Sequence, residues 1–192
     1  MRLQILRAAH RTPSPWKNGG GVTFQIAMSP EGADLAAFDW RVSVARVEAG
    51  GPFSRFEGVD RLMLVLDGRL ELDFAGERLL LDETSSAAVF PGEAEVSALT
   101  PTAPVTDLNL MVRRGAFMAS LARRAISGSA AVVCQDTTLI LGPSPLRLVV
   151  GPERRELAPG DVLRIDAARG AVARLNPQEP GDVIVAHINT VR

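Results

Sequence analysis

The feature that most constrains the fold is an internal repeat at an offset of 76 residues. Residues 62–112 can be laid on residues 138–188 without a gap. The clearest match is the double proline of Leu99-x-Pro101-x-x-Pro104, which falls on Leu175-x-Pro177-x-x-Pro180. Self-similarity at a fixed offset indicates repeated structural units. The chain is therefore predicted to contain two copies of one strand order, a duplicated barrel.

Short apolar runs separated by turn residues predict that the copies are all-β. The chain has 17 glycines and 13 prolines, which interrupt these runs. Residues 62–74 read as a β-hairpin, because Asp67-Gly68 suits a two-residue turn with positive φ. Helical spacing of Phe117, Leu121 and Ala125 predicts one short helix, from Arg114 to Ile126. The expected domains are residues 1–114, a barrel preceded by an N-terminal extension, and residues 115–192, a second barrel with a structural or dimerisation role.

Composition and charge exclude several classes of function. The net charge of −1 disfavours nucleic acid as a partner, which requires a basic excess. Cys134 is the single cysteine, so neither a disulfide framework nor a cysteine-rich zinc site is expected. The N-terminus lacks the apolar run of a signal peptide, and no stretch reaches the roughly 18 apolar residues of a membrane span. We therefore expect a cytoplasmic protein without a membrane partner.

The repeat also serves as an internal control for candidate functional residues. Asp107 and Asn109 fall on Val183 and Val185, so this face is apolar in the second copy and is predicted to point inward. Arg61 falls on Thr137, and Ser54, Arg55 and Phe56 fall on Ala130, Ala131 and Val132. Because unsatisfied buried polar groups cost about 1–3 kcal/mol each, their clustering predicts a site in the first copy. Alternatively, these side chains satisfy one another without a ligand, for example Arg61 with Asp107.

Two further stretches carry polar side chains that could reach the same site. On the predicted strand Phe38–Val47, Arg41 and Ser43 alternate with Trp40 and Val42. They point into the barrel if the Trp40 face is covered, and into solvent otherwise. Lys17-Asn18 precedes three glycines, which permit a sharp turn or close approach to a ligand. The stretch is either one wall of a binding site or a surface loop, and it does not match a Walker loop.

Several motifs together resemble the HutD/Ves family. They are Pro15-Trp16-Lys17-Asn18-Gly19-Gly20-Gly21-x-Thr23, Phe38-x-Trp40-Arg41-x-Ser43, Gly51-Pro52-Phe53-Ser54-x-Phe56-x-Gly58-x-Asp60-Arg61, Pro91-Gly92 and Asp107-Leu108-Asn109-x-Met111. The resemblance implies a bicupin, two jelly-roll β-barrels of the RmlC-like cupin type. It also implies a role in limiting or sensing flux through histidine utilisation, with a small carboxylate such as formylglutamate or urocanate as ligand. No enzymatic activity is established for the family.

A typical cupin metal site is not expected. Cupins usually bind a metal through His-x-His, a downstream Glu and a later His. The matching stretch here is Ser54-Arg55-Phe56, and no histidine lies between His10 and His187. Neither a metal nor another cofactor is therefore predicted.

The leading hypothesis is a regulatory protein that binds a small anionic carboxylate. Arginine and lysine would neutralise the anion, polar groups would read its remaining atoms, and aromatic rings, Trp40 among them, would form apolar walls. The candidate binding residues are Lys17, Asn18, Arg41, Ser43, Phe53, Ser54, Phe56, Arg61, Asp107 and Asn109. One alternative is a metal-free isomerase or lyase that uses Asp107 and Lys17 as base and acid. Another is a structural module without ligand. Edge strands of jelly rolls often pair, so a homodimer is a further expectation.

Overall fold

The computed structural model describes residues 1–191, and almost all regular structure in that range is β-strand. The helical exception there is one turn of 3₁₀ helix, Ala8–His10. The strands in chain order are β1 (Arg2–Leu6), β2 (Pro13–Pro15), β3 (Gly21–Ser29), β4 (Trp40–Val47), β5 (Gly51–Pro52), β6 (Val59–Asp67), β7 (Arg69–Phe74), β8 (Glu77–Asp82), β9 (Ala88–Pro91), β10 (Val96–Ala98), β11 (Val105–Arg113), β12 (Phe117–Ile126), β13 (Ala130–Val133), β14 (Thr137–Leu141), β15 (Leu146–Val150), β16 (Glu153–Leu157), β17 (Val162–Asp166), β18 (Val172–Pro177) and β19 (Gly181–Thr190). The all-β prediction is confirmed.

The first compact unit, Arg11–Phe117, consists of two sheets. One has six strands in the order β2-β3-β4-β11-β6-β9, and the other has four in the order β5-β10-β7-β8. Apolar side chains from both sheets form one core, because strands that alternate in-facing and out-facing residues bury one face against the other sheet. This core includes Val47, Met63, Leu70, Leu72 and Val96.

The second compact unit, Met1–His10 together with the chain from Met118 onward, also has two sheets. Their orders are β1-β17-β14-β19-β12 and β13-β18-β15-β16. The core again draws on both sheets and includes Ile140, Leu148, Leu163, Leu175 and Val185. Cys134 is fully buried in this core, as expected for a free cysteine.

The two units repeat one strand order. The run β4-β11-β6-β9 corresponds to β12-β19-β14-β17, and β5-β10-β7-β8 corresponds to β13-β18-β15-β16. The repeat read from the sequence is thus present as topology, but its gapless alignment is wrong in detail. Asn109 lies opposite Met63, whereas Val185 lies opposite Ile140, so β6 and β14 correspond at an offset of 77.

The predicted hairpin over residues 62–74 is wrong. Its two arms, β6 and β7, lie in different sheets, and the chain crosses from one sheet to the other at Gly68. The two-residue turn with positive φ at both positions is instead Ala75-Gly76, which joins the paired strands β7 and β8. Asp67-Gly68 is a turn signal, but local chemistry does not determine which strand the next segment pairs with.

The predicted helix from Arg114 to Ile126 is also wrong, because Phe117–Ile126 is the edge strand β12. It pairs with β19 in the five-stranded sheet. At the repeat offset, residues 116–123 correspond to β4, so extending the repeat toward the N-terminus indicates a strand. Tertiary pairing here overrides helical spacing.

The first ten residues do not belong to the unit that the sequence assigned to residues 1–114. Arg2–Leu6 pairs antiparallel with β17 of the second unit. Asp161 of that unit accepts hydrogen bonds from Ala8 N at 2.8 Å and from Arg7 Nη1 at 2.7 Å. The short apolar strand is recognisable from sequence, but its pairing partner lies more than 150 residues away.

Candidate functional site

A cavity of about 580 Å³ lies in the first unit. Its wall is built by β4, β6 and β11, and its rim by the loop before β3 and the segment after β5. The lining residues are Ser14, Pro15, Trp16, Lys17, Asn18, Thr23, Leu35, Arg41, Ser43, Ala45, Pro52, Phe53, Ser54, Arg55, Phe56, Arg61, Asp107, Asn109 and Met111.

Strand register brings the polar wall residues onto one face. On β11, Asn109 lies opposite Ser43 of β4, and Met111 lies between Arg41 of β4 and Arg61 of β6. Residues directly opposite each other in an antiparallel sheet project to the same side. Alternation along each strand therefore places these side chains together in the cavity.

Arg61 is buried, with 7% of its surface exposed. Its Nη2 donates to Asn109 Oδ1 at 2.8 Å and its Nη1 to the Ser54 carbonyl oxygen at 3.4 Å. Its Nε is buried and has no hydrogen-bond partner among residues 1–191. The guanidinium carbon lies 5.1 Å from the ring centre of Phe53 and 5.2 Å from that of Phe90, within cation–π range.

Burial and, to a smaller extent, the charge of the nearby Arg41 lower the pKa of Arg61 to about 10, although the charge of Asp107 opposes this decrease. The side chain therefore remains a cation at neutral pH. A buried cation requires an anionic or strongly polar partner.

Asp107 reaches Arg61 through Asn109. The Asn109 amide donates from Nδ2 to Asp107 Oδ1 while its Oδ1 accepts from Arg61. No Arg61–Asp107 ion pair is present among the described residues. Burial raises the pKa of Asp107 to about 7, although the charge of Arg61 opposes this rise. The carboxyl is thus only partly ionised at neutral pH and compensates the arginine incompletely.

Arg41 adds a second cation on the same face. Its Nε donates to Gln25 Oε1 at 3.2 Å, a neutral partner on the adjacent strand β3. Burial lowers the pKa of Arg41 below its usual value. Two guanidinium groups and one partly ionised carboxyl give this part of the cavity an excess of positive charge.

The rim at residues 16–21 is shaped by hydrogen bonds within the loop and by close packing of its backbone against neighbouring atoms. Trp16 donates from Nε1 to Thr23 Oγ1 at 2.8 Å, and Asn18 Oδ1 accepts from Gly20 N at 3.0 Å. A Cβ on Gly21 would lie 2.4 Å from the Arg46 carbonyl oxygen and 3.2 Å from the Trp16 ring. Glycine is therefore required here, and the turn leaves Lys17 exposed at the cavity.

The opposite rim, residues 53–56, has no regular secondary structure but is tied down by its backbone. Phe53 N donates to the Val96 carbonyl at 2.8 Å, and Phe56 N to the Gly92 carbonyl at 2.9 Å. The Phe56 ring contacts Phe38 edge to face, with ring centres 6.1 Å apart. This segment is held in place by the turn that follows β9 and by the first residue of β10.

All ten residues predicted from the sequence line this cavity, although their role in binding is untested. Trp40 was expected to form an apolar wall, and this is wrong, because it does not line the cavity and alternation puts it on the other face of β4 from Arg41 and Ser43. That face is buried at Trp40 and Val42, which satisfies the condition under which Arg41 and Ser43 point inward.

Sequence reasoning missed several lining residues and one supporting ring. Ala45 and Met111 continue the alternation of Ser43 and Asn109, so extending each strand by two residues identifies them. Phe90 contacts the Arg61 guanidinium because it lies opposite Arg61 in the sheet. No local signal could have found Phe90, since it depends on the pairing of β6 with β9.

The cavity does not fit a metal ion. Among residues 1–191, no three His, Cys, Asp or Glu side chains come together as potential ligands. Asp107 is the one carboxyl group in the lining, and the cations beside it would repel a metal ion.

Comparisons with solved structures define the class of fold. The chain is 8% identical to a cupin 2 conserved barrel domain protein from Leptotrichia buccalis, with a TM-score of 0.59 over 92% of this chain and 91% of the other, which shows a cupin-like fold. A conserved protein of unknown function from Pseudomonas aeruginosa PAO1, PA5104, matches at 30% identity and a TM-score of 0.91, over 98% and 100% of the two chains. HutD from Pseudomonas fluorescens SBW25, solved under a formate condition, matches at 27% identity and a TM-score of 0.83 over the full length of both.

The HutD family model matches residues 8–185, and the chain belongs to the HutD family. It is 33% identical over 175 residues to an uncharacterised 21.2 kDa protein in the hutC 3' region of Pseudomonas putida, covering 86% of this chain and 87% of the relative. It is also 35% identical to protein Ves of Cronobacter sakazakii, over about half of each chain (52% and 54%). Within residues 1–191, no helix is both long and apolar enough to span a bilayer.

Proposed function

We propose that the cavity of the first unit binds a small carboxylate anion and that binding gives the protein a regulatory role linked to histidine utilisation. The observation that carries this proposal is Arg61, a buried cation that faces a cavity with incomplete charge compensation. Arg41 and Lys17 supply further positive charge at the same cavity. A planar guanidinium suits a carboxylate because its fork donates two parallel hydrogen bonds.

The expected affinity follows from the number of charged contacts. A hydrogen bond to a charged group contributes about 1.5–3 kcal/mol. Two or three such contacts, offset by the entropy of binding, correspond to a dissociation constant in the micromolar range. Phe53 and Phe56 would cover the apolar part of the ligand.

Membership of the HutD family and the gene region of one relative suggest which carboxylates to test. The Pseudomonas putida relative lies in the hutC 3' region, and the family resemblance suggests formylglutamate or urocanate. We propose further that each unit is a jelly-roll barrel, so that the chain is a bicupin. The repeated strand order and the likeness to a cupin barrel domain support this arrangement.

Calorimetric titration of the full chain tests the binding proposal. Formylglutamate, urocanate, formate and acetate are titrated separately into the protein at neutral pH. We expect micromolar binding of one of the larger carboxylates, and Arg61→Gln should weaken it at least about tenfold because one charge-assisted contact is lost. Arg61→Lys should weaken it too, since lysine keeps the charge but not the fork.

Arg46→Gln is the matched control. Arg46 lies on the same strand as Arg41 but on its outer face, where it is exposed and pairs with Glu48 at 3.1 Å. This variant should bind as the wild type does. If no carboxylate binds, or if Arg46→Gln and Arg61→Gln have equal effects, the cavity is a structural feature and the proposal is wrong.

A second candidate is a metal-free enzyme of the isomerase or lyase type. The observation that favours it is Asp107, whose raised pKa of about 7 suits a general base or acid at neutral pH. In that case a bound carboxylate would be converted, with a pH profile that Asp107→Asn abolishes. Following each bound compound by NMR distinguishes the two, because a binding protein leaves the spectrum of its ligand unchanged over hours.

A further inference from the structure

The outer edge of β8 is less protected against strand pairing than the other edges of its unit. In the first unit, whose residues are all described, the four edge strands are β2, β5, β8 and β9. β2, β5 and β9 each contain proline, which cannot donate to a new ladder. β8, with the sequence Glu-Arg-Leu-Leu-Leu-Asp, contains none.

The edge strand β8 differs from β16, its counterpart in the second unit. β16 occupies the equivalent edge of the second unit and carries charges in the middle of the strand, with Arg155 and Glu156 where β8 has Leu79 and Leu80. Leu79 is 39% exposed and Leu80 is 41% exposed. Charged side chains on an edge prevent pairing with another chain, whereas exposed leucines favour it.

The side chains of β8 are also complementary to a second copy of the same strand. Residues 78, 80 and 82 project to one face, and an antiparallel pair centred on Leu80 places Leu80 against Leu80. In this register Arg78 of each protomer lies opposite Asp82 of the other, on the same face. On the opposite face, Leu79 lies across from Leu81.

Both charged residues can form this additional contact. Arg78 is 65% exposed and uses Nη1 to bond Glu71, which leaves other donors of its guanidinium. Asp82 accepts from Thr84 and Ser85 through Oδ1, which leaves Oδ2 for a partner. The bonds from Thr84 and Ser85 also lower the pKa of Asp82, so it is ionised at neutral pH.

We propose that β8 is a homodimer interface in which two copies of the chain pair antiparallel about a two-fold axis through Leu80. The four-stranded sheet then becomes one eight-stranded sheet across the dimer. A two-fold contact of this kind is self-complementary and closes, so it produces dimers rather than filaments. The proposal is independent of whether the cavity binds a ligand.

Sedimentation velocity of the full chain over a range of concentrations provides the first test. We expect a concentration-dependent monomer–dimer equilibrium in the wild type, which Leu80→Lys shifts to monomer. Glu156→Lys, at the equivalent position of β16, is the matched control and should leave the dimer intact. A wild type that stays monomeric at the highest attainable concentration, or a dimer that Leu80→Lys does not weaken, overturns the proposal.

A charge-exchange pair tests the register. Arg78→Glu alone and Asp82→Lys alone each place like charges opposite each other twice per dimer and should weaken dimerisation about tenfold or more. An equimolar mixture of the two variants restores opposite charges at both contacts and should dimerise as a heterodimer. Thermal unfolding of each variant checks that it is folded, and failure of the folded mixture to associate would show that the register is wrong.

Discussion

Arg61 and Asp107 show how one neutral side chain can separate two buried charges. Asn109 bonds both at once, and the two charged groups form no direct ion pair. The rival idea, that Arg61 and Asp107 simply satisfy each other, therefore holds only in part. A direct bidentate pair would have lowered the pKa of the carboxyl, whereas burial raises it here.

This raised pKa makes stability depend on pH in a defined direction. The pKa of Asp107 is about 7 in the folded protein and about 3.8 in the unfolded chain, so the folded state holds the proton over that interval. Stability contributed by the protonated carboxyl is therefore complete below about pH 4 and decreases as pH rises toward 7. Asp107→Asn removes the ionisation, and we expect the variant to lose this component of the pH dependence.

Urea unfolding at a series of pH values measures the effect. The difference in unfolding free energy between wild type and Asp107→Asn should change by up to a few kcal/mol across this range, the variant gaining relative stability as pH rises. A difference that is constant with pH would mean that Asp107 is ionised throughout this range. The arrangement of Arg61, Asn109 and Asp107 would then have to be reinterpreted as an ion pair.

At the scale of single elements, the rim segment after β5 depends on the turn that follows β9. Gly92 N donates to the Val59 carbonyl at 2.7 Å, and its own carbonyl accepts from Phe56 N. A Cβ at this position would lie 2.5 Å from the Phe56 carbonyl oxygen and 3.0 Å from that of Val59. Both obstacles are backbone atoms, so the rim would have to move.

We therefore expect Gly92→Ala to destabilise the protein by on the order of 1–3 kcal/mol and to weaken carboxylate binding by displacing Phe53 and Phe56. Gly128→Ala is the matched control, because a Cβ there meets no atom within 4 Å and its φ is not positive. Thermal unfolding and calorimetry of the two variants measure the difference. Equal melting temperatures would show that the rim is not fixed by this close approach.

Individual strands also differ in how completely the sequence predicts them. β4 is predicted nearly to its ends, as Phe38–Val47 against the observed Trp40–Val47, because period-2 alternation is a local signal. β12 is misread as a helix, because Phe117, Leu121 and Ala125 fit helical spacing while its pairing with β19 is not local. The hairpin error at Asp67-Gly68 has the same origin.

At the scale of the whole chain, the second unit is completed by residues from the N-terminus. Asp161 is 3% exposed and accepts from Ala8 N, Arg7 Nη1 and Ala158 N. Burial alone would raise the pKa of Asp161, but hydrogen bonds from Ala8 and Arg7 outweigh it and lower the pKa. The ionised carboxylate thus joins β1 to the segment that precedes β17.

Asp161→Ala should destabilise the second unit by on the order of 1–3 kcal/mol, because the backbone N–H groups of Ala8 and Ala158 lose their acceptor in two partly buried hydrogen bonds. Hydrogen exchange followed by mass spectrometry should show faster exchange in β1 and β17, with the strands around Arg61 unchanged. Since the pKa of Asp161 is depressed, the stabilisation it provides is lost as pH falls through that pKa. Uniformly faster exchange in both units would contradict this localisation.

The sequence by itself determined the β-class, the duplication, and that Asp107 and Asn109 face inward in the first copy. These follow from alternation and from comparison of two copies, both of which are readable along the chain. Only the tertiary structure decided that β6 and β7 enter different sheets, that Arg2–Leu6 pairs with β17, and that Asn109 separates Arg61 from Asp107. The reason is that strand pairing and burial of a charge depend on contacts between residues far apart in sequence, whose free energies no local pattern encodes.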